Sequence, residues 1–397
     1  MRQFSLPFLF LNLGHFLDHF YVLIFATAVL PLTTEWGLSY AALIPYATPG
    51  FIAFGVGAIP AGWLADRWSR EGMMTLFFIG IGLSSMLAGT AEGPLEMALY
   101  LTLVGLFGAI YHPVGLAMVV EQFHKTGLPI AINGIFGNMG VASAALLTGF
   151  LIDQLGWRSA FILPGFFSVV VGILYLLLIW KRPITEHTNT SQIDNPPVEP
   201  AQLAKPLLIR LFTIILFTAA IGGFIFQSTT FTLPKVLDEQ LIAISGEMTT
   251  IGWYSFLVFT IASLAQLVIG HLLDRYSLRK VFSIVALLQA LLFFTMTQSG
   301  GSATVPLAIA FMLAVFGQVP INDVLIGRIA RSHWRSRAYA LRSIVTFSVM
   351  ATALPLVAWI HGAWGFDLLF VLLSLAALLV FIAVQRLPAS HALAPNP

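Results

Sequence analysis

Two histidines and an aspartate, His15, Asp18 and His19, stand within five positions of one another in "GHFLDHFYVLIF" (14–25), a stretch that is otherwise apolar. A histidine changes charge near neutral pH and a carboxylate can share its proton. A group of this kind therefore suits the uptake and release of protons. At 3.6 residues per helical turn, Asn12, His15, Asp18 and His19 fall within an arc of about 120°. They form one polar stripe, which Val22 and Ala26 continue with small side chains. The same spacing suits a second chemistry, because imidazoles at i and i+4 share a helix face and can ligate one metal, with Asp18 or His112 completing the set.

The chain that carries this stripe has 397 residues, 58% hydrophobic and 9% charged. A soluble protein carries about 25% charged residues. Apolar runs of about 20 residues recur along the whole length, enough to cross a bilayer as helices. They lack the period-two alternation of a transmembrane barrel. The absence of cysteine removes disulfides, thiolate metal sites and thiol redox chemistry. The first apolar stretch is too long for a cleaved signal and lacks a small-residue cleavage site. The net charge of +2 favours no class of partner, and nothing points to nucleic acid. No phosphate-binding loop or resident cofactor is expected, so energy should come from an ion gradient.

Twelve spans are expected, near 6–32, 43–65, 73–90, 95–120, 127–152 and 160–180, then 207–233, 248–273, 279–297, 303–328, 338–361 and 366–385. The division is a first bundle (1–180), a proline-rich polar linker (181–206) and a second bundle (207–397). With both termini cytoplasmic, the outer loops hold only Arg158 and Lys235 of the nineteen basic residues, which fixes the expected orientation. The halves repeat. "GWLADRWSREG" (62–72) and "GHLLDRYSLRK" (270–280) share Gly, Leu, Asp, Arg and Ser, while "GLFGAIYHPVG" (105–115) aligns with "AVFGQVPINDV" (314–324). The fold class expected is an all-α membrane protein with two pseudo-symmetric six-helix bundles, and transporters of this kind bind substrate between their repeats near the midplane.

The "GWLADRWSR" segment resembles the signature between spans two and three of the major facilitator superfamily, with Ser69 in place of the usual glycine and Glu71 in place of a basic residue. That resemblance implies that Asp66 and Arg67 help latch the halves when the cytoplasmic side is closed, with Arg70, Asp274 and Arg275 in the same gating loops. It also implies that spans one, four, seven and ten line a central cavity. His112-Pro113, together with His15 and Asp18, is similar to the branch containing fosmidomycin-resistance exporters, which implies export. The arginine in span four and the Gly-Pro pair in span five of the drug–proton antiporters are missing.

His15 lies ~14 Å and His112 ~12 Å from the inner ends of their spans at 1.5 Å per residue, so both are expected at one depth. Asp323 is expected to face them from span ten, or to pair with Arg328 at the boundary. Asn12, Asn133, Asn138, Gln227 and Asn322 are cavity polar groups or interhelical glue. Pro113 and Pro320 free the carbonyls of Ala109 and Phe316, or simply kink their helices. Span seven has only small apolar residues where span one has its stripe. The reading is a secondary active transporter of the inner (plasma) membrane, not an enzyme, that moves a small polar molecule with protons as a monomer among lipids. Its proton and substrate residues are His15, Asp18, His19, His112 and Asp323. The alternatives are transport of a metal or metal chelate, an intramembrane metalloenzyme resembling H-x-x-E-H peptidases at "HFLDH", and a non-transporting receptor.

Overall fold

The computed structural model describes residues 5–123, 127–180, 204–241, 246–330 and 332–388. Eleven helices among them are long and apolar enough to cross a membrane. We number the spans α1 (Leu6–Glu35), α2 (Tyr40–Arg67), α3 (Arg70–Ala88), α4 (Pro94–Gln122), α5 (Gly127–Leu155), α6 (Trp157–Trp180), α7 (Lys205–Gln240), α8 (Met248–Arg275), α9 (Leu278–Met296) and α10 (Thr304–Ile329). The last helical run, Ser332–Val384, is interrupted at Gly365, whose φ of 73° lies outside helical space. Counting its two arms as α11 (332–364) and α12 (366–384) gives the twelve expected spans. Most of the expected linker lies outside the described residues, and α7 begins at Lys205, just before the boundary at 207.

Helix starts follow local chemistry. Ser5, Ser69 and Ser277 cap α1, α3 and α9 by accepting a backbone N–H in the first turn. Proline opens α1 and α4, where its missing N–H costs no intrahelical bond. All turns bearing Arg67, Arg70, Arg275, Arg279 and Arg328 fall at one end of the bundle, because the spans alternate in direction. We call this the arginine-rich end.

Lipid supplies no hydrophobic drive between helices, so close packing must hold them. Glycines supply it. An added Cβ at Gly82 would lie 2.6 Å from the Gly165 carbonyl oxygen, and one at Gly165 would lie 2.6 Å from the Gly82 carbonyl oxygen. That mutual approach seats α3 on α6. In the first half α1 also packs on α5 and α2 on α4; in the second, α7 and α9 pack on the 332–384 run and α8 on α10. Two seams join the halves, α5 against α8 and α2 against the 332–384 run.

The seams are closed at the end opposite the arginines. Asp153 of α5 accepts the Thr249 N–H at the start of α8, at 2.6 Å. Tyr40 of α2 meets the His361 ring edge-on at 5.2 Å. Halfway along, Asn138 of α5 donates to Gln266 of α8 at 3.4 Å.

Candidate functional site

Between the halves lies a cavity of about 300 Å³. His15, His19 and His112 line it from the first half, and Arg342, Gln318 and Asn322 from the second. His15 is the tenth residue of α1 and Asn322 lies seven residues before the end of α10, so the cavity occupies the middle of the spans and the part towards the arginine-rich end. Its volume on the second side comes from small residues of α7: Ala219, Gly222 and Gly223 all border it.

The three imidazoles form a compact group. His15 and His19 have ring centroids 5.0 Å apart, and each lies 5.4 Å from His112. One ring nitrogen from each falls within 4.8 Å of the others. His15 Nδ1 sits 2.7 Å from the Asn133 carbonyl oxygen. A carbonyl only accepts, so Nδ1 carries the proton and Nε2 of the neutral ring keeps its lone pair. Tyr111 stacks on the other face of His15 at 4.9 Å and donates to the Leu11 carbonyl at 2.8 Å. Gly137 lets the ring fit, since a Cβ there would lie 2.6 Å from His15 Nε2.

Asp18 stands behind this wall. Its carboxylate is fully buried, and His112 Nε2 is 3.3 Å from Oδ2. That distance suits an ion pair, yet neither carboxylate oxygen has an aligned hydrogen-bond donor among the described residues. An ionised carboxylate at this depth is costly without a compensating charge, and His112 is the neighbour able to carry it. His112 itself keeps 31% of its side chain exposed, facing the cavity.

The backbone of α4 changes its winding here. Residues Tyr111–Gly115, "YHPVG", form a π-helical turn. Pro113 lacks an N–H to continue the α pattern, and the extra residue is accommodated as a bulge of the type that accompanies functional sites. The bulge carries both Tyr111, stacked on His15, and His112, paired with Asp18.

The expected residues separate into several groups. His15, His19, His112, Asn138 and Asn322 line the cavity. Asp18 does not, because it turns from the stripe towards α4. Asn12 and Asn133 are buried and bond to each other at 3.0 Å, bracing α1 on α5. Gln227 is buried in α7 away from the cavity lining. Asp323 lies beside it rather than in it: its carboxylate is 3.6 Å from Arg342 Nη1, and Arg342 reaches the lining instead. The gating-loop residues make contacts within their own half. Asp66 pairs with Arg70 at 3.0 Å, Arg70 also contacts Glu121, and Arg67 stacks over Trp63 at 4.3 Å. These partners all belong to the first half, so among the described residues Asp66 and Arg67 form no latch between halves in this conformation. Asp274 and Arg275 are exposed at the end of α8.

Arg342 and Gln318 were not among the expected site residues. Arg342 is an arginine inside an expected span (338–361), and Gln318 a polar residue in another, which is the signal that would have found them.

Residues 11–245 and 241–397 match the sequence model of the Major Facilitator Superfamily. The gallate transporter of Pseudomonas putida is 25% identical over 299 residues, which cover 67% of this chain and 65% of the relative. The 4-hydroxybenzoate transporter PcaK of Pseudomonas putida is 24% identical over 305 residues, 69% of this chain and 67% of the relative. The alignments thus span about two thirds of these relatives. Among solved structures, a bacterial homolog of the human lysosomal transporter Spinster, inward-facing and occupied, superposes with a TM-score of 0.78 at 14% identity over 96% of each chain. A D-xylose–proton symporter gives 0.75 at 14% identity over 98% of this chain and 99% of that one. At such identity the likeness shows the fold alone. The family and both sequence relatives are transporters, so the enzyme reading falls; neither relative is named for a metal, and metal transport gains no support.

Proposed function

The chain belongs to the Major Facilitator Superfamily, and on that premise we propose that it is a proton-coupled secondary active transporter of a small polar organic molecule. It works as a monomer in the inner (plasma) membrane with both termini cytoplasmic, so the arginine-rich end faces the cytoplasm. The conformation described above is then the inward-facing one, sealed on the outer side by the Asp153–Thr249 and Tyr40–His361 contacts.

The observation that supports coupling is the pairing of a cavity-facing imidazole with a buried carboxylate: His112 touches both the cavity and Asp18. A proton arriving from the cavity makes His112 cationic beside Asp18, and the pair is then an ion pair. Loss of that proton leaves a neutral imidazole beside one buried negative charge. His15 and His19 stand within reach to pass protons along the wall. Rocking of the halves about the α5–α8 and α2–α11 seams exposes this wall to one side and then the other. Solute in the same cavity changes the electrostatic surroundings of the imidazoles, and the two movements become linked. Export, in exchange for protons, is the direction implied by the branch resemblance.

Reconstitution into vesicles with an internal pH indicator tests the proposal. Solute added against a gradient should move protons with the wild type and not with Asp18→Asn, whose neutral amide keeps the shape but cannot exchange the proton. Equal proton movement by a folded Asp18→Asn protein would remove Asp18 and His112 from the mechanism. The sign of solute movement under an imposed proton gradient decides between export and import.

A further inference from the structure

The wall of the cavity opposite the histidines is built from donors. Gln289 is fully buried on α9, and its Nε2 donates to the Ala314 carbonyl at 3.0 Å and to Gln318 Oε1 at 2.8 Å. The Ala314 carbonyl can only accept, which fixes the Gln289 amide. Gln318 must therefore turn its oxygen to Gln289 and its Nε2 away. That Nε2 is buried with no hydrogen-bond partner, on a residue that lines the cavity and is 5% exposed. Gly222 leaves room for it, since a Cβ there would lie 2.7 Å away.

Arg342 supplies the second donor. Its Nε is likewise buried and unpartnered, and its side chain is 19% exposed. Its only ionic partner among the described residues is Asp323, held loosely at 3.6 Å through Nη1. Unpaired buried donors are costly to leave unmade, and a guanidinium favours a planar anion. The facing wall offers the opposite character, because neutral His15 keeps a lone pair on Nε2. Between the two walls the lining is apolar and partly aromatic, with Phe226, Phe347 and Val315.

We propose that Arg342 and Gln318 form the docking site for the carboxylate of a small aromatic acid whose distal hydroxyl reaches towards the histidine wall. This rests on the transporter reading and names its substrate class. The carboxylate accepts from Arg342 Nε and Gln318 Nε2, replacing Asp323 as the nearest counter-charge. The ring lies against the apolar lining. A cavity of about 300 Å³ is at the lower end of the range for small-molecule sites, which suits one ring with few substituents.

The test measures binding to the purified full-length protein by calorimetry, with 4-hydroxybenzoate, its neutral amide 4-hydroxybenzamide, inorganic phosphate and D-xylose as probes. The acid should bind, and the amide should bind at least tenfold more weakly. Arg342→Gln should weaken the acid about 10- to 150-fold, the range of a hydrogen bond to a charged group, and leave the amide unchanged. Arg342→Lys should recover only part of the loss, because it keeps the charge without Nε. Asp323→Asn, which removes the competing anion, should bind the acid more tightly. This variant and the acid–amide comparison decide the matter if Arg342→Gln fails to fold. Equal binding of acid and amide, tighter binding of phosphate or D-xylose, or unchanged affinity in Arg342→Gln would each overturn the proposal. Acid binding without proton movement in vesicles would refute coupling and leave this site standing. Proton movement driven by D-xylose, with no acid bound, would do the reverse.

Discussion

Gly252 of α8 sits where the two halves touch. A Cβ placed on it would lie 2.6 Å from the Ala145 carbonyl oxygen and 2.7 Å from the Leu146 Cα, both on α5. Ordinary contact begins at about 3.4 Å, so Gly252→Ala must push the helices apart by roughly 0.8 Å, the difference between 3.4 and 2.6. The neighbouring atoms are backbone and cannot turn aside. Overpacking of this kind costs about 1–3 kcal/mol. Because the seam joins two halves that rock against each other, that cost falls on the conformation in which it is closed. A population that loses 1–3 kcal/mol shifts by about 5- to 150-fold. Spin labels on Glu92→Cys and Gln298→Cys, exposed in loops of opposite halves at the sealed end, report the separation by pulsed electron resonance. The chain has no native cysteine to interfere. Gly252→Ala should broaden the distance distribution towards longer values. Gly82→Ala, which wedges α3 from α6 inside one half, should lower thermal stability without moving that distribution. Identical distributions in wild type and Gly252→Ala would refute the closed seam as the element that rocks.

Two other outcomes follow from the same geometry. Asp153→Ala removes the acceptor for the Thr249 N–H and should shift the same label distance in the same direction by less, since one hydrogen bond to a charged group at an exposed helix start contributes about 1.5 kcal/mol; no shift would show that the contact is incidental. Gly365 adopts φ 73° and ψ −169° between α11 and α12, a region nearly closed to other residues. Gly365→Ala should cost about 1–3 kcal/mol, read as a lower melting temperature, and an unchanged melting temperature would mean that the chain reverses there differently.

The spans were legible because bilayer thickness sets their length, and the stripe on α1 because helical periodicity gathers its polar residues. His15, His19 and His112 do meet around one space. The direction of Asp18 was not legible. A stripe 120° wide covers both the cavity wall and the groove towards α4, and only the π-turn at Tyr111–Gly115 decides which residue faces His112. The repeat placed Asp323 within two aligned positions of His112, but on a helix two positions are a rotation of about 200°. Asn322 enters the lining in its place. Arg342 was hidden for another reason. With span eleven expected to begin at 338, it stood at the boundary among Arg335 and Arg337, whereas the helix starts at Ser332 and carries it a further turn and a half inward. The latch expected of Asp66 and Arg67 belongs to the conformation closed at their own end, and sequence does not encode which conformation is occupied.

The central claim is that the imidazole wall borders water reached from the arginine-rich end. Gly134 lines the same cavity and has nothing within 4 Å of an added Cβ, so Gly134→Cys places a lone thiol there without strain. Its reaction with a membrane-impermeant maleimide, in vesicles of known orientation, is the most direct measurement. Labelling from the arginine-rich face, slowed when solute is bound, is the result expected. A thiol that reacts only after denaturation, or only from the opposite face, would contradict the account.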